Sequence, residues 1–140
     1  MISLLEKLNY KGQQRIAVIN AGQYFDLAPW KELEKLTVDS QIDPRYPYDF
    51  MIIFVTKVSE VEKITPSALH NLSADGVLWF IYPKKTSKTF SSELERDHGW
   101  AVLNNAGFYG VRMVSVDQDW SGLRFRNVKY IKSTSERFRH

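Results

Sequence analysis

The sequence predicts a three-layer α/β domain with a mostly parallel sheet. Apolar runs long enough for buried strands alternate with segments of helical periodicity, an alternation typical of parallel strands joined by helices. The last two strand-like runs are separated only by a turn, which indicates an antiparallel hairpin at the end of the chain. At 140 residues the chain fits one domain that can bury a core without disulfides or metals.

A short helix and a buried strand open the chain. Ser3 and Glu6 have the spacing of a capping box, and the apolar residues that follow Ser3 give the helix a buried side before Gly12 ends it. Residues 15–20 carry a central apolar run, as expected for a strand covered on both faces. Residues 21–22 then turn the chain at the carboxyl end of this strand.

Prolines mark the next two elements. Pro29 can occupy the first position of a helix that ends near residue 36, and residues 36–38 form a small strand. The turn-like residues 43–47 end in proline, which favours an extended entry into a central strand at 48–56.

A helical segment and a second central strand follow. Ser59 and Glu62 repeat the capping-box spacing, and Thr65-Pro66 can restart the helix, with a bend expected at Pro66. Residues 77–82 are an apolar strand closed by a proline, which cannot donate a hydrogen bond to the sheet.

The last third of the chain predicts one more helical region and the hairpin. Residues 91–106 carry apolar positions at helical spacing, with a bend near Gly99. Strands at 109–116 and 123–131 are joined by the turn-like residues 117–122.

Composition excludes several classes of protein. The chain has no cysteine, so disulfides and thiolate metal sites are excluded, and a reducing, cytoplasmic location is expected. We expect no secretory signal, no apolar run approaches the roughly 20 residues of a membrane span, and the histidine spacing predicts no metal site. The net charge of +3 comes from residues 129–140, which does not favour nucleic-acid binding. We expect one domain over 1–132 and a polar basic tail at 133–140.

Several strings of the chain have a distinctive order and spacing. They lie at 8–12, 15–21, 48–56, 76–85 and 116–125, and the most specific are Tyr82-Pro83-Lys84-Lys85 and Trp120-Ser121-Gly122-Leu123-Arg124-Phe125. Together they resemble a bacterial family of small domains of unknown function. The resemblance covers about residues 8–126 and implies a Rossmann-like domain similar in layout to a trimmed class I methyltransferase. It implies no established reaction, cofactor or catalytic residue.

The chain departs from the pattern of that family at two places. Gly22 stands where many members carry proline. Thr89-Phe90 stand where an acidic residue commonly follows the lysine loop, which begins with Lys84 and Lys85. Both departures lie in segments that follow predicted strands.

One edge of the predicted sheet collects the candidate binding residues. Open α/β sheets bind ligands beyond the carboxyl ends of their strands, where the strand order reverses. The candidates, which follow such ends or lie in the hairpin, are Asn20, Gly22, Lys84, Lys85, Asp117, Trp120, Ser121 and Arg124. Their cationic, aromatic and hydroxyl groups suit an anion or a planar ring. Purely structural roles stay open: a tight turn, a solvated lysine loop, and an Arg124 paired with Asp117 or Asp119.

Two functions follow from these residues. We expect a non-catalytic binding module for an anionic small molecule or a protein partner, including a second copy of the chain. The alternative is a divergent group-transfer enzyme that binds S-adenosylmethionine or a nucleotide. Such an enzyme needs a glycine-rich turn after the first strand and an acid after the second to hold the ribose. The chain offers Asn20-Ala21-Gly22 and a poorly placed Asp39, which favours the binding module.

Overall fold

The computed structural model describes residues 4–21 and 36–131, which form a six-stranded sheet with helices on both faces. The strands are β1 (Arg15–Ile19), β2 (Thr37–Asp39), β3 (Tyr48–Phe54), β4 (Leu72–Pro83), β5 (Phe108–Ser115) and β6 (Trp120–Asn127). The helices are α1 (Leu4–Lys7), α2 (Val58–Asn71) and α3 (Ala101–Asn105), and a 3-10 turn follows at Val128–Tyr130.

The predicted fold class is confirmed by the sheet topology. The strand order is β2-β1-β3-β4-β6-β5. The strands from β2 to β4 in this order are parallel, and β6 is antiparallel to both of its neighbours, β4 and β5. The chain runs outward from β1 to β2 and then returns to β3 on the other side of β1. The strand order therefore reverses between β1 and β3, which is where sheets of this kind bind ligands.

Two apolar layers enclose β4, the central strand. One layer holds Phe80, which makes edge-to-face contacts with Trp100 and Phe125, and it is covered by α2 and α3. The other layer holds Trp79, whose indole Nε1 donates to the Leu8 carbonyl oxygen at 3.0 Å just after α1. Because Trp79 and Phe80 are successive residues, they point to opposite faces of the sheet. Each layer is therefore anchored on the same strand.

The helix α2 differs from its predicted form in two ways. It runs unbroken through Pro66, where the sequence predicts a restart, and Thr65 donates its hydroxyl to the Val61 carbonyl oxygen at 2.6 Å just before the proline. It begins at the N-cap Lys57, whose backbone N–H donates to Glu60 Oε1 at 3.0 Å, rather than at Ser59 with Glu62. Only the carboxylate half of a capping box is therefore present, because a lysine side chain has no acceptor for the backbone N–H of residue 60.

The helical region predicted at 91–106 is wrong over most of its length. Only α3 is helical, and Leu94 and Trp100 are buried from an irregular loop. The reason is Gly99, whose φ of +104° suits a residue without a side chain. A Cβ there would lie 2.3 Å from a methyl carbon of Leu94, so only glycine fits this position beside the buried Leu94 side chain.

The hairpin is confirmed with a shorter turn. Only residues 116–119 connect β5 and β6, so Trp120, Ser121 and Gly122 are strand residues rather than turn residues. β4 likewise begins at Leu72, five residues before its predicted start. Ser3, the helix from Pro29 and the tail at 133–140 lie outside the described residues. None of the helices in the described part of the chain is long and apolar enough to cross a bilayer.

Replacement of Trp79 by phenylalanine tests how the N-terminal segment is held. The variant removes the indole donor to the buried Leu8 carbonyl, which should cost about 1–3 kcal/mol of the free energy of unfolding in urea. Residues 4–12 should also become more sensitive to limited proteolysis. Trp100→Phe is the matched control, because it removes an indole donor to the Glu95 carbonyl in the other layer. Equal cleavage of the N-terminal segment in both variants would contradict this role of Trp79.

Candidate functional site

The carboxyl edge of the parallel strands brings several predicted site segments together. β1, β3, β4 and β5 end at this edge, and β6 begins there because Pro83 pairs with Trp120. The segments at this edge are 20–21, 55–57, 84–87 and 115–120. The topology thus confirms that the lysine loop and the hairpin turn share one edge.

Direct contacts join the lysine loop to the hairpin turn. The backbone N–H of Lys84 donates to the Asp119 carbonyl oxygen at 2.7 Å, and the Ser87 hydroxyl donates to Asp119 Oδ1 at 2.8 Å. The Lys84 ammonium donates to the Ser115 hydroxyl oxygen at 2.6 Å. Since serine is neutral, this contact orients the ammonium without neutralising its charge. The ligand-binding role of Lys84 stays a prediction.

Trp120, which opens the string at 120–125, belongs to the core. Trp120 is 3% exposed, and its ring lies 5.8 Å from that of Phe54 and 5.1 Å from that of Phe90, centroid to centroid. Ser121 is also buried. Neither side chain can contact a ligand at the edge without repacking, so the expectation that Trp120 offers a stacking surface is wrong.

The Asp117 carboxylate stabilises the hairpin turn and is not free to bind a ligand through Oδ1. Its Oδ1 accepts the backbone N–H groups of Asp119 and Trp120, each at 2.8 Å. This is the turn chemistry that aspartate provides in tight connections. Lys85 forms an exposed ion pair with Glu95, so its charge is balanced within the chain.

Arg124 lies away from the edge. It pairs with Trp79 in the sheet, four residues from the Trp120–Pro83 pair, which is about 13 Å along the strand. Its charged neighbours are Arg126, Asp75 and Arg112. The prediction that Arg124 shares one surface with the lysine loop is therefore wrong, as is its suggested pairing with Asp117 or Asp119.

The point where the strand order reverses carries a tight backbone turn. Asn20, directly after β1, has a φ of +61°, a left-handed conformation that asparagine tolerates better than most residues. It is exposed, and its side-chain Nδ2 donates to the Phe54 carbonyl oxygen at 3.4 Å across to β3. Ala21 is buried behind it. Gly22 lies outside the described residues.

The N-terminus of α2 reaches the same point, and carboxylates accept three of the backbone N–H groups there. Glu60 Oε1 accepts the backbone N–H groups of Thr56 and Lys57 at 2.7 and 3.0 Å, and Glu93 Oε1 accepts that of Val58 at 3.0 Å. These donors are consequently not available to an anion. The role of Glu93 had no signal in the sequence, because it depends on an irregular loop packed against α2.

Asp39, the last residue of β2, is held by two neighbours. Arg15 donates to both of its carboxylate oxygens, at 2.6 and 3.2 Å, and the Tyr48 hydroxyl donates to Oδ2 at 2.6 Å. Arg15 also stacks on the Tyr46 ring, 3.7 Å from its centroid. Burial raises the pKa of Asp39, but the hydrogen bonds from Arg15 and Tyr48 outweigh it, so the net pKa is lowered. Asp39 is therefore an ionised structural group.

A metal centre is not formed by the residues described. Across 4–21 and 36–131, no group of three histidine, aspartate or glutamate side chains is placed to hold a metal ion.

The fold is similar to solved methyltransferases. A methyltransferase from Aquifex aeolicus, described as dependent on S-adenosylmethionine, matches with a TM-score of 0.59 and 15% identity, over 82% of each chain. The N-methyltransferase NodS from Bradyrhizobium japonicum WM9, in complex with S-adenosyl-L-homocysteine, matches with a TM-score of 0.56 and 14% identity, over 89% of this chain and 83% of NodS. No family model and no curated protein matches the chain.

These similarities correct the preferred functional hypothesis. The expectation of a non-catalytic binding module is contradicted, because the matching folds are those of methyltransferases. The resemblance to a family of small bacterial domains stays a prediction.

Replacement of Asp39 by alanine tests whether this acid is structural. It leaves Arg15 and the Tyr48 hydroxyl without their acceptor, which should cost about 1–3 kcal/mol of the free energy of unfolding at pH 7. Tyr48→Phe keeps the ion pair and should lose less.

The pH dependence of that loss gives a second measurement. Because the pKa of Asp39 is lowered on folding, its contribution is complete above the unfolded value near pH 4 and disappears as the pH falls through the folded value. The stability difference between the wild type and Asp39→Ala should therefore shrink in acid. A difference that stays constant down to pH 2 would show that the carboxylate charge contributes nothing.

Proposed function

We propose that the chain is a group-transfer enzyme of the methyltransferase type, which binds S-adenosylmethionine at the carboxyl edge between β1 and β3. The observation that carries this proposal is the topology: the strand order reverses beside Asn20, in a fold similar to that of a NodS structure that holds the demethylated cofactor. The cofactor, when bound, supplies an electrophilic methyl group on a sulfonium centre.

The backbone at Asn20 suits the cofactor. A left-handed residue directly after the strand provides the tight backbone turn that a glycine provides in the usual motif. The hydrogen bond from Asn20 to the Phe54 carbonyl fixes this turn against β3. The turn is thus preorganised without a glycine at position 20.

The ribose side of the site differs from the usual pattern. Asp39 is occupied by Arg15 and Tyr48, and it pairs with Ala17 in the sheet, two residues short of the end of β1. A hydrogen bond to a charged group contributes about 1.5–3 kcal/mol. We therefore expect S-adenosylmethionine to bind roughly 10- to 100-fold more weakly than in a site with a free acid at this position.

Two lysines at the edge suit an anionic methyl acceptor. Lys57 is exposed after β3, and the Lys84 ammonium, after the neighbouring strand β4, donates to the neutral Ser115 hydroxyl. An ammonium group binds carboxylates and phosphates without fixed geometry. A bacterial origin and a cytoplasmic location belong to the same proposal, the latter supported by the absence of cysteine.

Binding of S-adenosylmethionine and S-adenosylhomocysteine, measured by isothermal titration calorimetry, tests the proposal. Asn20→Val should weaken binding at least tenfold, because a β-branched residue disfavours the left-handed turn, whereas Asn20→Gly keeps that turn. Asn9→Val is the matched control, since Asn9 has a φ of +62° but follows α1 on the sheet face. Both valine variants should be destabilised by about 1–2 kcal/mol.

Two results would refute this placement of the cofactor. One is the absence of binding heat for either compound at millimolar concentration with folded wild-type protein. The other is an equal loss of affinity in Asn20→Val and Asn9→Val, since that would report on stability alone.

A further inference from the structure

Three arginines gather on the sheet face that carries α1, away from the carboxyl edge. Arg124 and Arg126 are two residues apart on β6 and therefore share a face. Arg112 of β5 lies directly opposite Arg124. We call Arg112, Arg124 and Arg126 the arginine cluster.

A local irregularity in β5 brings Arg112 to this position. Gly110 pairs with Phe125, and the next pair is Arg112 with Arg124, so Val111 is an extra residue between them. In a regular ladder Val111 would face Arg124, and Arg112 would point to the opposite face. The bulge thus creates the pair of like charges.

Among residues 4–21 and 36–131, one carboxylate, that of Asp75, forms an ion pair with the cluster. Asp75 accepts two hydrogen bonds from Arg126, Nε to Oδ1 at 2.8 Å and an outer nitrogen to Oδ2 at 2.6 Å. Both of its oxygens are occupied, and within the described residues Arg112 and Arg124 form no ion pair. Three guanidinium charges against one carboxylate leave the cluster with a charge of 3 − 1 = +2.

This arrangement is costly without a counter-ion. Like charges directly opposite each other on neighbouring strands destabilise a sheet. Arg124 is also half-buried, and its Nε is shielded from solvent without a hydrogen-bond partner among the described residues. Burial lowers the pKa of Arg124, and the charges of Arg126 and Arg112 lower it further. An anion would relieve both the buried donor that has no partner and the repulsion between the two like charges.

We propose that Arg112 and Arg124 form a binding site for a phosphate monoester. Its double negative charge matches the charge of the cluster, and its oxygens suit the guanidinium fork. The half-buried Arg124 offers the outer part of its guanidinium group from the sheet face, while the exposed Arg112 closes the site from the edge strand. This site is independent of the proposed cofactor site, about 13 Å further along the strands.

Thermal unfolding with inorganic phosphate, against sodium chloride at equal ionic strength, tests the site. At ten times its dissociation constant, phosphate should raise the midpoint of the wild type by about 5 °C. Arg112→Gln and Arg124→Lys should each lose most of this shift, the first by loss of charge and the second by loss of the fork. Arg45→Gln is the control, because it makes the same charge change at an exposed pair with Asp43 and should keep the full shift.

A second comparison separates the site from general screening. In chloride alone, Arg112→Gln should raise the midpoint, because it removes the like-charge pair with Arg124. The proposal is overturned if phosphate gives no more stabilisation than chloride, or if Arg45→Gln loses the shift as fully as Arg112→Gln. It is also overturned if an oligonucleotide without terminal phosphates protects the wild type while inorganic phosphate and adenosine monophosphate do not.

Discussion

The burial of β4 on both faces and along both edges is the constraint on which the structure depends. β3 pairs with it in parallel, and β6 pairs with it in antiparallel. Trp79 and Phe80 extend from it into opposite layers, and both are fully buried. The N-terminal segment is tied to Trp79, whereas α2, α3 and their loops pack in the layer of Phe80. A strand shared in this way contributes side chains to both layers, so each layer depends on its position.

The same strand arrangement decides which residues can act at the carboxyl edge. β1 and β3 end side by side where the strand order reverses, and Asn20 links them. The neighbouring segments are largely committed to structure, since Asp117 shapes its turn, Trp120 fills the core and Glu60 caps α2. The free polar surface is thereby concentrated beside Asn20 and Lys84, which is consistent with one cofactor site there and an anion site elsewhere on the sheet.

The central strands could be predicted from the sequence, because continuous apolar runs identify strands buried on both faces. The loop at 91–100 could not, since Leu94 and Trp100 are buried without a helix and the turn at Gly99 depends on their packing. The predicted topology also indicates which loops lie at the same edge of the sheet, as it does for the lysine loop and the hairpin turn. It does not indicate which side chains face each other, because the bulge at Val111 determines that Arg112 faces Arg124.

The most direct test of the central claim is chemical-shift mapping of the labelled protein during titration with S-adenosylhomocysteine. If the cofactor binds where the strand order reverses, the largest changes will occur at the backbone amides of Asn20, Ala21 and Thr56, with small changes at Arg124. Changes centred on the arginine cluster, or saturating ligand without changes at residues 20–21, would contradict the claim.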